Sequence, residues 1–209
     1  MLPDPDQEAL VNRPVYLLAG LAAAAAVLAA AACGGGSSSS APAASQPQPA
    51  PEVSPPGDIP DNQAFVEYAP PGAAFAVKVP EGWARTTDRT ATVFTDKLNA
   101  IRIEAAPAAA APTVQSATTD VVPALSAATP GFQLGQVSAV TRNAGDGVLV
   151  TYQADSPADP VTGKTVVDDV EQYLFFDNGT LVTLTLSGPK GADNVDPWRI
   201  VTDSLRWTA

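Results

Sequence analysis

Val166 to Ser187 reads VVDDVEQYLFFDNGTLVTLTLS, and this stretch decides the fold. Asp177-Asn178-Gly179 interrupts two runs rich in β-branched and aromatic residues. Asn-Gly tolerates the positive φ angles of a tight hairpin, so the spacing predicts two strands, 166–176 and 180–187, joined directly. In the second run Val182, Leu184 and Leu186 alternate with Thr183, Thr185 and Ser187. Strand side chains alternate between faces, so the first set is expected in the core and the second away from it.

Working outward, Val148, Val150 and Tyr152 share one face of an expected strand over 148–154, and another strand is expected over 133–141. Further strands are expected at 74–79, 92–95 and 101–105, with Pro80-Glu81-Gly82 as a turn leading into Trp83. Val114, Ala117, Val121 and Leu125 recur at helical spacing, which predicts an amphipathic helix over 113–128. Pro123 inside it implies a kink or a later start. Asp196-Pro197 reads as a helix cap followed by proline in the first turn, with Trp198, Val201 and Leu205 on one face. The connections are too short for parallel crossovers. The expectation is an α+β domain: an antiparallel sheet of about six or seven strands flanked by at least two helices.

The N-terminal third has a different character. The run from Pro14 to Ala32 is apolar and alanine-rich, and it ends at Cys33, the one cysteine of the chain. Gly34-Gly35-Gly36 and four serines follow. An apolar run, small residues and then a cysteine with a flexible tail resembles a bacterial lipoprotein signal. In that reading residues 1–32 are the signal peptide and the Cys33 thiol carries the lipid. The folded domain is then displayed on the outer face of the cytoplasmic membrane. An uncleaved anchor is the second reading, because 19 residues approach the roughly 20 needed to span a bilayer. Residues 34–64 hold no aromatic residue and many prolines. Such a segment lacks the apolar surface to order itself, so 33–64 are expected to form a tether and 65–209 the globular domain.

Composition limits the function. Without residues 1–32, 19 acids and 10 bases remain, a net charge of −9. Nucleic acid and anionic surfaces repel such a domain, so no nucleic-acid partner is expected. The chain contains no histidine. With Cys33 lipidated, no free thiol remains, and histidine-activated serine or cysteine nucleophiles are excluded. Ordinary zinc sites are excluded on the same ground. No catalytic residue, metal or cofactor is therefore expected.

Other patterns in the chain are weaker. Gly163-Lys164-Thr165 ends like a phosphate loop but has Ala158 where the first glycine belongs. Ser187-Gly188-Pro189-Lys190 matches S-x-x-K, yet Ser187 ends a strand instead of opening a helix. Asp155, Asp159, Asp168 and Asp169 invite a calcium reading without the spacing of an EF-hand. Glu81, Glu104 and Glu171 are isolated, which argues against a glycosidase pair. Trp83, Trp198 and Trp207 suit core packing better than a ligand groove, with Trp83 expected to be the most exposed.

Val79-Pro80-Glu81-Gly82-Trp83, the hairpin after Tyr173 and the C-terminal Trp198 to Trp207, set behind the Cys33 tether, resemble the LpqN/LpqT-type lipoproteins of mycobacteria and relatives. The resemblance covers residues 60–208. It implies a fold shared with Mog1 and PsbP, an envelope location and no established catalytic set. It also suggests an envelope lipid, glycolipid or protein as the bound partner, with part of the protein shed. The alternatives are a hydrolase or transferase using carboxylates, Ser and Lys, or a surface antigen or assembly factor without a small ligand.

Overall fold

The computed structural model describes residues 55–159 and 161–208. The expected signal, Cys33 and most of the expected tether lie outside these residues. Among the described residues no helix is long and apolar enough to cross a membrane.

Ten strands and three helices form in the order β1 (Phe65–Tyr68), β2 (Phe75–Pro80), β3 (Ala84–Asp88), β4 (Ala91–Asp96), β5 (Asn99–Pro107), α1 (Val114–Ser116), a π-helical turn (Ala117–Val121), α2 (Val122–Ala128), β6 (Gln133–Arg142), β7 (Gly145–Asp155), β8 (Val167–Asp177), β9 (Thr180–Pro189), α3 (Val195–Ser204) and β10 (Arg206–Trp207). Seven strands make one antiparallel sheet, ordered β3-β4-β5-β9-β8-β7-β6. The other three make a small antiparallel sheet, β1-β2-β10. The α+β expectation holds. The short strands β1, β3 and β10 were not legible, because β1 has four residues, β3 (ARTTD) is exposed throughout and β10 has two residues.

The deciding hairpin forms as the sequence implies. Tyr173 pairs with Leu184 and Phe175 with Val182, while Asn178 and Gly179 take φ of 43° and 78°. Val182, Leu184 and Leu186 are fully buried. On the same face lie Ile101, Ile103, Tyr173 and Phe175. The small sheet covers them with Phe75, Val77 and Val79, and α3 with Trp198, Val201 and Leu205. This larger core sits on the α3 face of the sheet. Each fully buried side chain of this kind contributes about 1.5–3 kcal/mol.

The opposite face is covered elsewhere. There Val148, Val150, Tyr152 and Ala154 of β7, with Val170 and Leu174 of β8, pack under Ala117, Val121, Val122 and Leu125. The π-helical turn has a local cause. Pro123 has no N–H to donate, and the Val122 N–H reaches back five residues to the Ala117 carbonyl, widening the helix by one residue just ahead of the proline. Thr113 caps the start in a reciprocal bond with Ser116.

The start of α3 differs from the expectation. The capping position is Asn194, not Asp196, and its side chain makes no cap bond. It is used instead as a clamp. Asn194 Oδ1 accepts from the Ile59 N–H (2.8 Å), and its amide donates to the Gly57 carbonyl and to Asn99 Oδ1 (both 3.0 Å). Asn99 also donates to the Gly57 carbonyl (2.9 Å). Ile59 is 4% exposed and belongs to the larger core. Packing therefore reaches upstream of Phe65.

Candidate functional site

The two covers are displaced from each other across the sheet. The small sheet and α3 lie over β4, β5, β9 and β8, whereas α1 and α2 lie under β7 and β8. The α3 face is left uncovered where β6 begins and β7 ends, beyond Val140 and Leu149, which still pack on the larger core, and a cleft of about 560 Å³ occupies it.

Strand alternation supplies its floor. Gln153 pairs with Asp169 and Thr151 with Glu171, so these four polar side chains stand on one face. Their alternating neighbours Val150, Tyr152 and Val170 point to the smaller core. Leu134 and Gly135 form one rim, at a bulge that shifts the β6–β7 register between Leu134 and Gln136. Gly135 has no room for a side chain, since a Cβ there would lie 2.6 Å from Thr151 Oγ1. Pro189, Ala192, Asn194, Val195 and Trp198 form the other wall.

Most polar groups in the cleft are partnered. Gln153 donates to Asp169 Oδ1 (3.0 Å), and the Gly191 N–H donates to Asp169 Oδ2 (3.2 Å). Lys190 Nζ donates to Gln153 Oε1 (3.3 Å). Glu171 accepts from the Tyr173 hydroxyl (2.8 Å), which in turn receives Arg142 Nη2 (3.4 Å). Burial first, and then Glu171, push the Tyr173 phenol up to about 12. The Trp198 indole is the exception. Its residue is 8% exposed, it lines the cleft, and its Nε1–H has no acceptor among the described residues. A buried donor without a partner costs about 1–3 kcal/mol, so native structures rarely leave one without a reason.

The residues singled out in the sequence are distributed as follows. Trp198 lines the cleft; Trp207 donates to the Ala144 carbonyl (2.9 Å), and Trp83 borders a small pocket of about 140 Å³. Ser187 and Lys190 do not converge, because Lys190 donates to Gln153 while Ser187 lines a cavity on the other face of the sheet. Gly163-Lys164-Thr165 lies in the β7–β8 connection, not at a helix start. Asp159 is taken up by its own turn, accepting from the Val161 and Thr162 amides (3.0 and 2.6 Å) and the Thr162 hydroxyl, which hold its carboxyl below the ordinary range. Asp168 and Asp169 are neighbours on a strand and so face opposite sides. Among the described residues, no three acidic or Cys side chains gather around a metal-sized space. Cys33 lies outside the described residues. In the sequence the cleft residues Thr151, Gln153, Asp169 and Glu171 are marked as a set only by their alternation with apolar neighbours.

No protein-family profile and no curated protein matches this sequence. Among solved structures the chain is similar to cyanobacterial PsbP (CyanoP) from Synechocystis sp. PCC 6803, with a TM-score of 0.51 and 14% identity over 72% of this chain and 98% of that one. Looser likenesses are the Ran-binding protein Mog1p of Saccharomyces cerevisiae (TM-score 0.43, 12% identity, 68% and 87% covered) and LpqN of Mycobacterium tuberculosis, involved in cell envelope biogenesis (0.38, 15%, 71% and 87%). The chain spans about half, 48%, of a Bacteroides thetaiotaomicron chain it also resembles (0.43, 14% identity, 68% of this chain). The three scores below 0.5 carry no argument. The likeness to CyanoP establishes a shared α+β fold of the PsbP type and nothing about activity.

Proposed function

We propose that this chain is a non-enzymatic lipoprotein of the cell envelope, of the LpqN/LpqT type, whose domain binds the hydroxyl-rich headgroup of an envelope glycolipid in the cleft beside α3. The observation that carries this reading is the buried Trp198 N–H, without an acceptor, beside a floor of Thr151, Gln153, Asp169 and Glu171. Sugar hydroxyls donate and accept at once, so they suit both the orphaned donor and the carboxylate and amide oxygens. A volume of about 560 Å³ falls within the range of small-molecule sites, about 300–1,000 Å³. Asp169 and Glu171 are each held by protein donors, which supports binding over catalysis. Lipidation at Cys33 would place the domain at the outer face of the membrane, within reach of such headgroups.

Calorimetric titration of the full chain tests the cleft. The ligands are a glycolipid with a disaccharide headgroup and the same diacylglycerol without the sugar. Saturable, sugar-dependent binding that weakens several-fold in Trp198→Phe is expected. Equal binding of both lipids, or of neither, overturns the reading. Intact mass spectrometry tests the anchor separately. A mature N-terminus at Cys33 carrying a diacylglyceryl increment is expected, and an unprocessed Met1 end rejects it.

A further inference from the structure

Two buried side-chain polar atoms lack a hydrogen-bond partner among the described residues. One is Trp198 Nε1, and the other is Asp168 Oδ1. They lie on opposite faces of the sheet. Asp168 pairs with Ala154 and Pro189 and shares its face with Val170 and Gln172. It lines a cavity of about 430 Å³ at the end of β4, β5 and β9, on the same face as α1 and α2 but beyond the strands they cover.

This cavity differs from the cleft in character. Its walls include Leu98, Ala100, Pro157, Ala158 and Val166. Leu98 is 42% exposed and Val166 38%, an apolar mouth open to solvent. Asp168 itself is 5% exposed. Burial first, and then the neighbouring Asp169, push its carboxyl up to about 6. At neutral pH it is mostly ionised, and its buried Oδ1 has no hydrogen-bond partner among the described residues. Such a charge is costly unless paired.

The other charged groups on the cavity do not supply the pair. Lys97 leans toward Asp96 (3.9 Å). Asp159 has the wrong sign and is held by its own turn. The Lys164 ammonium makes no ion pair among the described residues, and none joins it to Asp168.

We infer that this cavity is a second binding site, for a molecule with an apolar body and a protonated primary amine that donates to Asp168. The ammonium provides the missing donor and the counter-charge together, and the chain behind it covers Leu98, Ala100 and Val166. A neutral alcohol would supply a donor but leave the charge uncompensated, and a carboxylate would repel it. The site is independent of the cleft, being on the other face of the sheet.

Titration of the full chain at pH 7.5 with n-hexylammonium, 1-hexanol and hexanoate, followed by amide and carboxyl NMR, tests this. Hexylammonium should shift Leu98, Ala100, Val166 and Ser187 saturably, at least tenfold more tightly than hexanol, with no binding of hexanoate. In the wild-type chain the Asp168 carboxyl pKa should fall by at least one unit on binding. Asp168→Asn, with its remaining amide spectrum unchanged, should lose at least tenfold in affinity, and Lys164→Gln should lose none. Equal affinity for hexanol, an unmoved Asp168 pKa, or Lys164→Gln lowering the affinity as Asp168→Asn does would each overturn the site.

Discussion

The two faces of the central sheet are covered on opposite halves, and the difference explains where the molecule is solid and where it is open. On the α3 face a second sheet and a helix bury large side chains over β4, β5, β9 and β8. On the other face a short, proline-interrupted helical stretch buries a smaller cluster under β7 and β8. Only Ala117 of that stretch is fully buried. The two uncovered quarters lie diagonally, and each holds a cavity and one orphaned polar atom. The packed cores and the cavities thus occupy different quarters of one sheet.

Adjacent residues on β8 test this contrast most strongly. Phe175, fully buried on the α3 face, should cost about 3–5 kcal/mol when truncated to alanine. Leu174 belongs to the smaller cluster, so Leu174→Ala should fall at the lower end of about 2–5 kcal/mol. Urea unfolding of both variants decides it, and an equal or larger cost at Leu174 would break the comparison.

The next effect is at the join between α3 and the sheet. A Cβ on Gly188 would press into the Asn99 side chain and lie 2.7 Å from Asn194 Nδ2. Gly188→Ala should therefore cost about 1–3 kcal/mol by displacing buried amides from their partners. It should also raise hydrogen exchange at the Ile59 amide, which bonds to Asn194.

Asp168 sharpens the comparison through pH. Its folded pKa of about 6 lies above the ordinary 3.8, so folding favours the protonated acid. Its contribution is complete below about pH 4 and is lost as pH rises through 6. Asp168→Asn carries no charge at any pH. It should be more stable than the wild type above pH 6 by about 1–2 kcal/mol, with the gap closing below pH 4. Denaturation of both proteins across pH 3.5–8 reads this directly, and a pH-independent difference would remove the buried charge from the account.

The smallest effect on stability belongs to the cleft. Trp198→Phe removes a donor that has no partner in the protein and keeps most of the apolar surface. A change below about 1 kcal/mol is expected, because no hydrogen bond is lost. A larger loss in thermal unfolding would mean that Trp198 serves the core more than the cleft.

Much of this architecture was legible because it is written in local patterns. The Asn178-Gly179 turn fixed a register in which Leu184 faces Tyr173, and period-two alternation assigned the inward residues of β7 and β9. The interrupted helix was legible through Pro123. The capping residue of α3 was not, because Asn194 is taken from its local role by partners far away in sequence, Gly57, Ile59 and Asn99. The polar residues of the cleft read as an ordinary solvated strand face, and so did Asp168 beside Asp169.

By itself the sequence determined the α+β class, the antiparallel pairing, the inward faces of the main strands and the absence of histidine. These depend on residue type and on neighbours two to four positions away. The tertiary structure alone decided which half of each sheet face is covered, that the Trp198 donor and the Asp168 acceptor are buried without partners, and that Ile59 belongs to the core. Those properties depend on which distant segments dock on the sheet, and local periodicity carries no record of docking.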